Sequence, residues 1–237
     1  MMNMKKTIAV LMVLILLLGT AMPVLADTTE NTAVAQMDIQ FKCGCSRIGT
    51  GTMVAKNGFI TCAHNLICYE HSKGLKSCVF YFGRNKQKYA YRYNGNFTYY
   101  YFTDFKNGYD SSDDIGYVVF PKNVGQHTGW YASTAESDED LRWEYSNIAG
   151  YYGFNRRYDF EQIEVYSSKE ICWPISSGLK QCGQGGPVYF WESGEKYPTI
   201  RAVYTTTGDH GKKGFARRIT NSVIEDMRKN GVLFSQK

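Results

Sequence analysis

Gly58-Phe59-Ile60-Thr61-Cys62-Ala63-His64 is the stretch on which the reading of this chain turns. A β-prone run, Gly58 to Thr61, leads into two small residues and then a histidine. Small side chains at 62 and 63 let an imidazole turn into a cleft instead of being packed away. Upstream, Gly51 to Val54 is a second β-prone run, and Ala55-Lys56-Asn57-Gly58 between the two is a turn signal. Downstream, Asp114-Ile115-Gly116 heads an almost continuous apolar run, Ile115 to Phe120, as in a buried strand. A carboxylate placed there can accept an imidazole N–H and hold the ring in one tautomer. Further on, the glycines of Gly185-Gly186-Pro187-Val188 permit a tight loop with backbone N–H groups turned outward. Each motif alone is weak, since a single histidine is more often structural and a Gly-Gly-Pro turn is commonplace. Their order carries the weight: a histidine, an aspartate 50 residues later, and the glycine loop about 70 residues beyond that.

The rest of the chain reads as strands. Val79 to Phe82 and Tyr89 to Tyr93 are followed by Asn94-Gly95, a two-residue hairpin turn with Phe97 to Phe102 as its return strand. Ile148 to Tyr152, Gln162 to Tyr166, Val188 to Trp191 and Ile200 to Thr206 continue the pattern. Only the end is helical, with Ile219, Val223, Met227 and Val232 near helical spacing and Asn221 able to cap the start. The tyrosines between Tyr89 and Phe105 suggest half-buried strand positions more than a platform for sugars or bases. Aromatics at 15% and 23 glycines favour many short strands joined by tight turns, hence an all-β sandwich or barrel.

The first 26 residues read as a signal peptide. Lys5 and Lys6 form a positive n-region, Thr7 to Leu18 is uncharged, and Val24-Leu25-Ala26 is a cleavage site, with cleavage after Ala26. The apolar stretch is short for a membrane span and ends near Pro23. Residues 27–40 read as a polar linker or pro-segment, leaving 41–237 as the folded domain. Removing the leader takes two lysines and no acids, so 25 basic residues face 22 acidic ones. That balance is too mild for nucleic acid, which calls for a concentrated basic patch. The expected partner is a peptide or protein, with no membrane contact after cleavage and a monomeric state.

Seven cysteines suit an oxidising compartment, and the odd count leaves at least one unpaired in a monomer. Spacing suggests Cys68 with Cys78 and Cys172 with Cys182, and Cys43 or Cys45 could reach Cys62. Sequence alone does not settle connectivity. Zinc is the rival reading and is disfavoured, because two Cys-x-x-Cys pairs at finger or ribbon spacing are lacking. No metal and no cofactor are expected.

Taken together, these motifs resemble the chymotrypsin-like serine peptidases, in particular the bacterial branch containing the glutamyl endopeptidases. The resemblance runs from about residue 41 to the end. Thr61-Cys62-Ala63-His64 matches the Thr-Ala-Ala-His motif, Asp114-Ile115-Gly116 the aspartate motif, and Gly150-Tyr151-Tyr152-Gly153 a Gly-Tyr-Pro-Gly turn. Cys182-Gly183-Gln184-Gly185-Gly186-Pro187 matches the Gly-x-Ser-Gly-Gly-Pro nucleophile loop. The resemblance implies two antiparallel six-stranded β-barrels, 41–125 and 126–237, the second carrying a C-terminal α-helix. It implies catalytic roles for His64 and Asp114, and oxyanion N–H groups from positions 182 and 184. Tyr204, Thr205 and Thr206 correspond to the substrate-binding strand, and Gly178 and Ala216 to the walls of the specificity pocket.

Two positions depart from that pattern. Gln184 stands where the family has its nucleophilic serine, and a carboxamide is no nucleophile near neutral pH because its nitrogen lone pair is delocalised. Cys182 stands where the second oxyanion donor is normally glycine, so its Cβ constrains the loop differently. The expectation is a peptidase homologue without peptidase activity that binds a peptide or protein in the old cleft. One alternative is an endopeptidase that attacks with Cys182 or another nucleophile, using His64 and Asp114. Another is a surface-adhesion domain built on the tyrosine-rich segment.

Overall fold

The run Gly58–Thr61 is a strand buried along its whole length in the structure, a computed structural model describing residues 32–102, 105, 110–175, 183–195 and 197–234. It belongs to the first of two curled sheets. That sheet holds β1 (Val34–Phe41), β2 (Ser46–Met53), β3 (Gly58–Thr61), β4 (Ile67–Cys68), β5 (Lys73–Phe82), β6 (Tyr91–Tyr93), β7 (Thr98–Tyr101) and β8 (Gly116–Val119). Their order is β4-β5-β1-β2-β3-β8-β7, with β6 also on β5. The second sheet holds β9 (Ala132–Ser133), β10 (Tyr145–Tyr152), β11 (Asn155–Gln162), β12 (Glu164–Val165), β13 (Glu170–Pro174), β14 (Pro187–Phe190), β15 (Thr199–Gly208) and β16 (Lys213–Arg218). Its order is β11-β10-β14-β15-β16-β13-β12, with β9 also on β15. Every pairing is antiparallel except β9 with β15. A C-terminal helix, Asn221–Lys229, completes this all-β, two-half-barrel fold.

Each sheet has eight paired segments where six strands were expected, and edge sharing explains the difference. β5 and β15 are each ten residues long. A strand of that length spans roughly 34 Å, enough to seat two short partners end to end on one edge. β4 takes the Lys73–Gly74 end of β5 and β6 takes the Phe80–Phe82 end. β9 and β16 divide one edge of β15 in the same way.

Two expectations need correction. Residues 34–40, read as linker, form β1, which lies between β2 and β5 in the middle of the first sheet. Val34, Ala35, Met37, Ile39 and Phe41 are all buried there, so the apolar content outweighs the polar start of the segment. Nor do the strands on either side of Asn94-Gly95 pair with each other, because β6 adds to β5 while β7 pairs with β8. The tyrosine-rich stretch thus crosses between two strands instead of closing a hairpin. Its aromatics are mostly half-buried against the core, as strand residues should be.

The first core is aromatic. Phe59 packs edge to face on Phe80 and Phe82, and Phe120 on Phe80, with Phe59 and Phe80 centroids 5.2 Å apart and Phe80 and Phe120 5.1 Å apart. Burying such rings contributes roughly 1.5–3 kcal/mol each. Ile219, Val223, Ile224, Met227 and Val232 from the chain's end join that same core. Asn221 is the first helical residue and Thr220 the cap position, with no side-chain hydrogen bond closing the cap, so Asn221 does not take the capping role expected of it.

The expected disulfides are absent among the described residues: Cys43, Cys45, Cys62, Cys68, Cys78 and Cys172 are all free. Cys68 pairs in the ladder with Lys73, whereas Cys78 lies opposite Ile39, five residues further along β5. At about 3.4 Å per residue that offset is far beyond disulfide reach. The Cys62 thiol donates to the Tyr204 carbonyl oxygen at 3.0 Å and is not bonded to Cys43 or Cys45. Cys182, the proposed partner of Cys172, lies outside the described residues.

Candidate active site

His64 sits in a 3-10 turn, Ala63–Asn65, directly after β3. Asp114 follows a second 3-10 turn, Ser111–Asp113, and immediately precedes Ile115 and β8. Because β3 and β8 are ladder neighbours, with Thr61 opposite Gly116, the two turns leave the sheet side by side. Asp114 then binds His64 twice. Its Oδ2 lies 2.6 Å from the ring Nδ1, and its Oδ1 accepts the His64 backbone N–H at 2.9 Å. This bidentate hold fixes both the position and the rotation of the imidazole. Asp114 is fully buried and His64 only 2% exposed.

The Asp114 turn is braced from both sides. Asp110 caps it by accepting the Ser112 N–H at 2.8 Å, which lowers the Asp110 carboxyl below its ordinary range. From the second sheet's side, Glu170 accepts the Ser111 hydroxyl at 2.6 Å and Lys169 reaches Asp113 at 2.7 Å.

The loop carrying Gln184 docks against the His64 turn through its backbone. Thr50 of β2 donates its N–H to the Gln184 carbonyl at 3.0 Å, and the Asn65 side chain donates to the same oxygen at 3.1 Å. Gly185 N–H donates to the Tyr204 carbonyl at 2.7 Å, and Tyr204 N–H returns to the Gly186 carbonyl at 2.9 Å. Gly185 has φ +93°, and a Cβ there would collide with the Thr50 carbonyl and the Thr61 hydroxyl. Only glycine meets both demands. The structure therefore places the loop beside the residue that follows His64.

Asn65 was missed by sequence reasoning. It is buried, and its amide also donates to the Thr61 hydroxyl at 3.0 Å. Its place next to His64 was the only signal available. Cys62 reads in the sequence as a small residue or a disulfide partner of Cys43 or Cys45, yet its Sγ stands within 4.8 Å of His64 and Asp114 ligand atoms.

Tyr204, Thr205 and Thr206, expected on the substrate-binding strand, all lie on β15. Tyr204 is fully buried and packs its ring on Trp173 with centroids 5.3 Å apart, so its side chain belongs to the core of the second sheet. Ala216, its ladder partner, is buried in the same core. Thr205 sits at a register shift between Tyr204 and Thr206, a bulge of the kind that re-aims a strand. Thr205 donates its hydroxyl to the Phe215 carbonyl at 3.0 Å, and Thr206 remains half-buried. Gly178 and Cys182 lie outside the described residues. A cavity of about 280 Å³ opens next to the loop, lined by Ile48 and Thr50 from the first sheet, Tyr151 and Tyr152 from the second, and Gly183 and Gln184.

Two half-barrels, with a buried His–Asp pair from the first and a glycine loop from the second, define the chymotrypsin-like serine protease fold. Solved structures agree: a Glu endopeptidase in complex with MPD superposes with a TM-score of 0.71 at 16% identity, over 86% of this chain and 92% of that one. The thermostable serine protease AL20 from an extremophilic microorganism gives 0.70 at 12% identity, over 85% and 98% of the two chains. The protease Anisep from Arthrobacter nicotinovorans gives 0.69 at 13% identity, over 85% and 95%. No protein-family model and no curated protein matches the sequence.

Proposed function

We propose that this is an exported protein of chymotrypsin-like fold that does not hydrolyse peptides and instead holds a peptide or protein segment in the cleft beside Gln184. The observation that carries the reading is the identity of residue 184. The loop around it makes the hydrogen bonds that join it to the His64 turn, but the side chain it presents is a carboxamide. Losing the nucleophile of such a triad removes about 10⁶ of the rate. The burial of His64 supports the same reading, because little imidazole surface is left for a substrate to meet. Tyr152, largely exposed beside the cavity, is a natural contact for a bound segment.

The unmodified exported protein is expected to cleave neither casein nor a peptide library. Gln184→Ser should raise cleavage above background, and adding Asp114→Asn should lower that gain by about 10⁴. Adding Cys182→Gly to Gln184→Ser should increase it by roughly 10²–10³, the usual effect of one oxyanion donor. In parallel, binding of labelled peptides to the unmodified protein should weaken about tenfold in Tyr152→Ala, as for an exposed aromatic anchor. His64-dependent proteolysis by the unmodified protein would refute the proposal. If that activity vanished in Cys182→Ala and survived in Gln184→Ala, the cysteine would be the nucleophile.

A further inference from the structure

The four side chains Cys43, Cys45, Cys68 and His71 come together at one end of the first sheet, with their ligand atoms all within 4.8 Å of one another. We propose that they form a structural zinc site of the Cys₃His type.

Two separate pieces of backbone build the cluster. Cys43 and Cys45 flank Gly44 in the turn between β1 and β2. Gly44 has φ +93°, and the turn is closed by Phe41 N–H to Cys45 O at 2.9 Å and Gly44 N–H to Phe41 O at 3.0 Å. Cys68 ends β4, and His71 lies in the turn that leads from β4 into β5. Lys42 N–H donates to Gly74 O at 3.0 Å, which ties the first turn to the base of the second. The two ligand pairs are thus held facing each other by main-chain bonds that do not depend on the side chains.

The distances match zinc and do not match a disulfide. His71 Nδ1 is 3.6 Å from Cys45 Sγ and 3.4 Å from Cys68 Sγ. A tetrahedral zinc with Zn–S near 2.3 Å and Zn–N near 2.0–2.1 Å sets sulfur and nitrogen about 3.5 Å apart. A disulfide would need two sulfurs at about 2.05 Å, and no pair among these cysteines is bonded. Three thiolates and a neutral imidazole suit a soft, tetrahedral ion and fill all four positions, so the site is closed to catalysis. Cys68 is buried, Cys43 and Cys45 are half-buried and His71 is exposed, so an ion can enter from the histidine side.

The arrangement escaped the sequence reading because the pairs are Cys-x-Cys and Cys-x-x-His, 23 residues apart from Cys45 to Cys68. Its position gives it a role. Cys68 lies four residues beyond His64, and Arg47, two residues after Cys45, donates to the His64 carbonyl at 3.1 Å. Zinc would clamp the β1–β2 turn to the segment that leaves the His64 turn.

The test is metal content and cobalt spectroscopy on the full chain. Protein prepared with reductant and zinc, then stripped of loose metal by gel filtration, should retain one zinc per chain. Cobalt should substitute and show the absorption of a tetrahedral thiolate site. Chelation should lower Tm by about 5–10 °C, the scale of losing a tightly bound ion from a domain of this size. His71→Ala, a change at an exposed residue, should weaken zinc retention at least tenfold, and Cys68→Ser should abolish it, while Cys172→Ser on the second sheet keeps it. Sub-stoichiometric zinc under these conditions, or zinc that His71→Ala and Cys68→Ser leave untouched, would overturn the proposal. So would exported protein lacking zinc and two hydrogens lighter through a bond among Cys43, Cys45 and Cys68.

Discussion

Cys62 shows at the scale of one residue how a thiol is held in its neutral form beside the His64–Asp114 pair. It stands two positions before His64, yet its thiol is fully buried and donates to the Tyr204 carbonyl. Burial pushes the thiol well above its ordinary range, and the Asp114 charge pushes it in the same direction. Both effects disfavour the thiolate, which is the nucleophilic form. Iodoacetamide at neutral pH is therefore expected to leave Cys62 unmodified in the folded protein and to label it once the protein is denatured. Peptide mapping reads this directly, and labelling of Cys62 in the native state would contradict the assignment. The same logic applies to Cys78, whose thiol burial also raises. The sequence offers Cys62 as a small residue or a disulfide partner; its actual partner, Tyr204, is 142 residues away and cannot be read from local pattern.

Among elements, the junction between the His64 turn and the glycine loop rests on one carboxamide. Asn65 donates to the Thr61 hydroxyl and to the Gln184 carbonyl, joining β3 of the first sheet to the loop before β14 of the second. Asn65→Ala should cost roughly 1–3 kcal/mol, the scale of losing two buried hydrogen bonds at about 0.5–1.5 kcal/mol each, while the Gln184 carbonyl keeps its bond from the Thr50 N–H. In a domain of this size that lowers Tm by about 3–10 °C. Asn65→Asp should be worse than Asn65→Ala, because a carboxylate would face carbonyl oxygens. A differential scanning measurement that ranks the two the other way would remove Asn65 from this role. Strand content was legible wherever residues alternate or run apolar: β3 matches the sequence reading residue for residue, and β8, β14 and β15 nearly so. β1 was not, because a threonine-rich start masked its apolar positions. The Asn94-Gly95 turn misled because turn chemistry reports a reversal but not which neighbour each strand then joins.

The whole molecule is closed by its end. The C-terminal helix packs Val223, Ile224 and Met227 into the core of the first sheet, although it follows the second in the chain. Tyr117 of β8 donates to the Asp226 carboxylate at 2.6 Å, Asn230 donates to the Tyr117 hydroxyl at 2.7 Å, and Asn57 donates to the Gly231 carbonyl at 2.9 Å. Those apolar side chains together contribute roughly 5–9 kcal/mol, comparable with the entire stability of an ordinary domain. Truncation before Asn221 should therefore yield insoluble or unfolded protein, and the intact chain should unfold in one calorimetric transition. A folded truncate, seen as retained near-UV dichroism, would show that the helix is dispensable. By itself the sequence determined the all-β class, the His64–Asp114 pairing and the glycine loop around Gln184. These are written in short runs of residue types whose local conformation follows from side-chain shape and apolar pattern. Only the tertiary structure decided which strands share an edge, that Tyr204 faces the core, and that Cys68 meets His71 and the Cys43–Cys45 turn instead of Cys78. Those outcomes depend on ladder register between distant segments, where a shift of one residue turns every side chain to the opposite face.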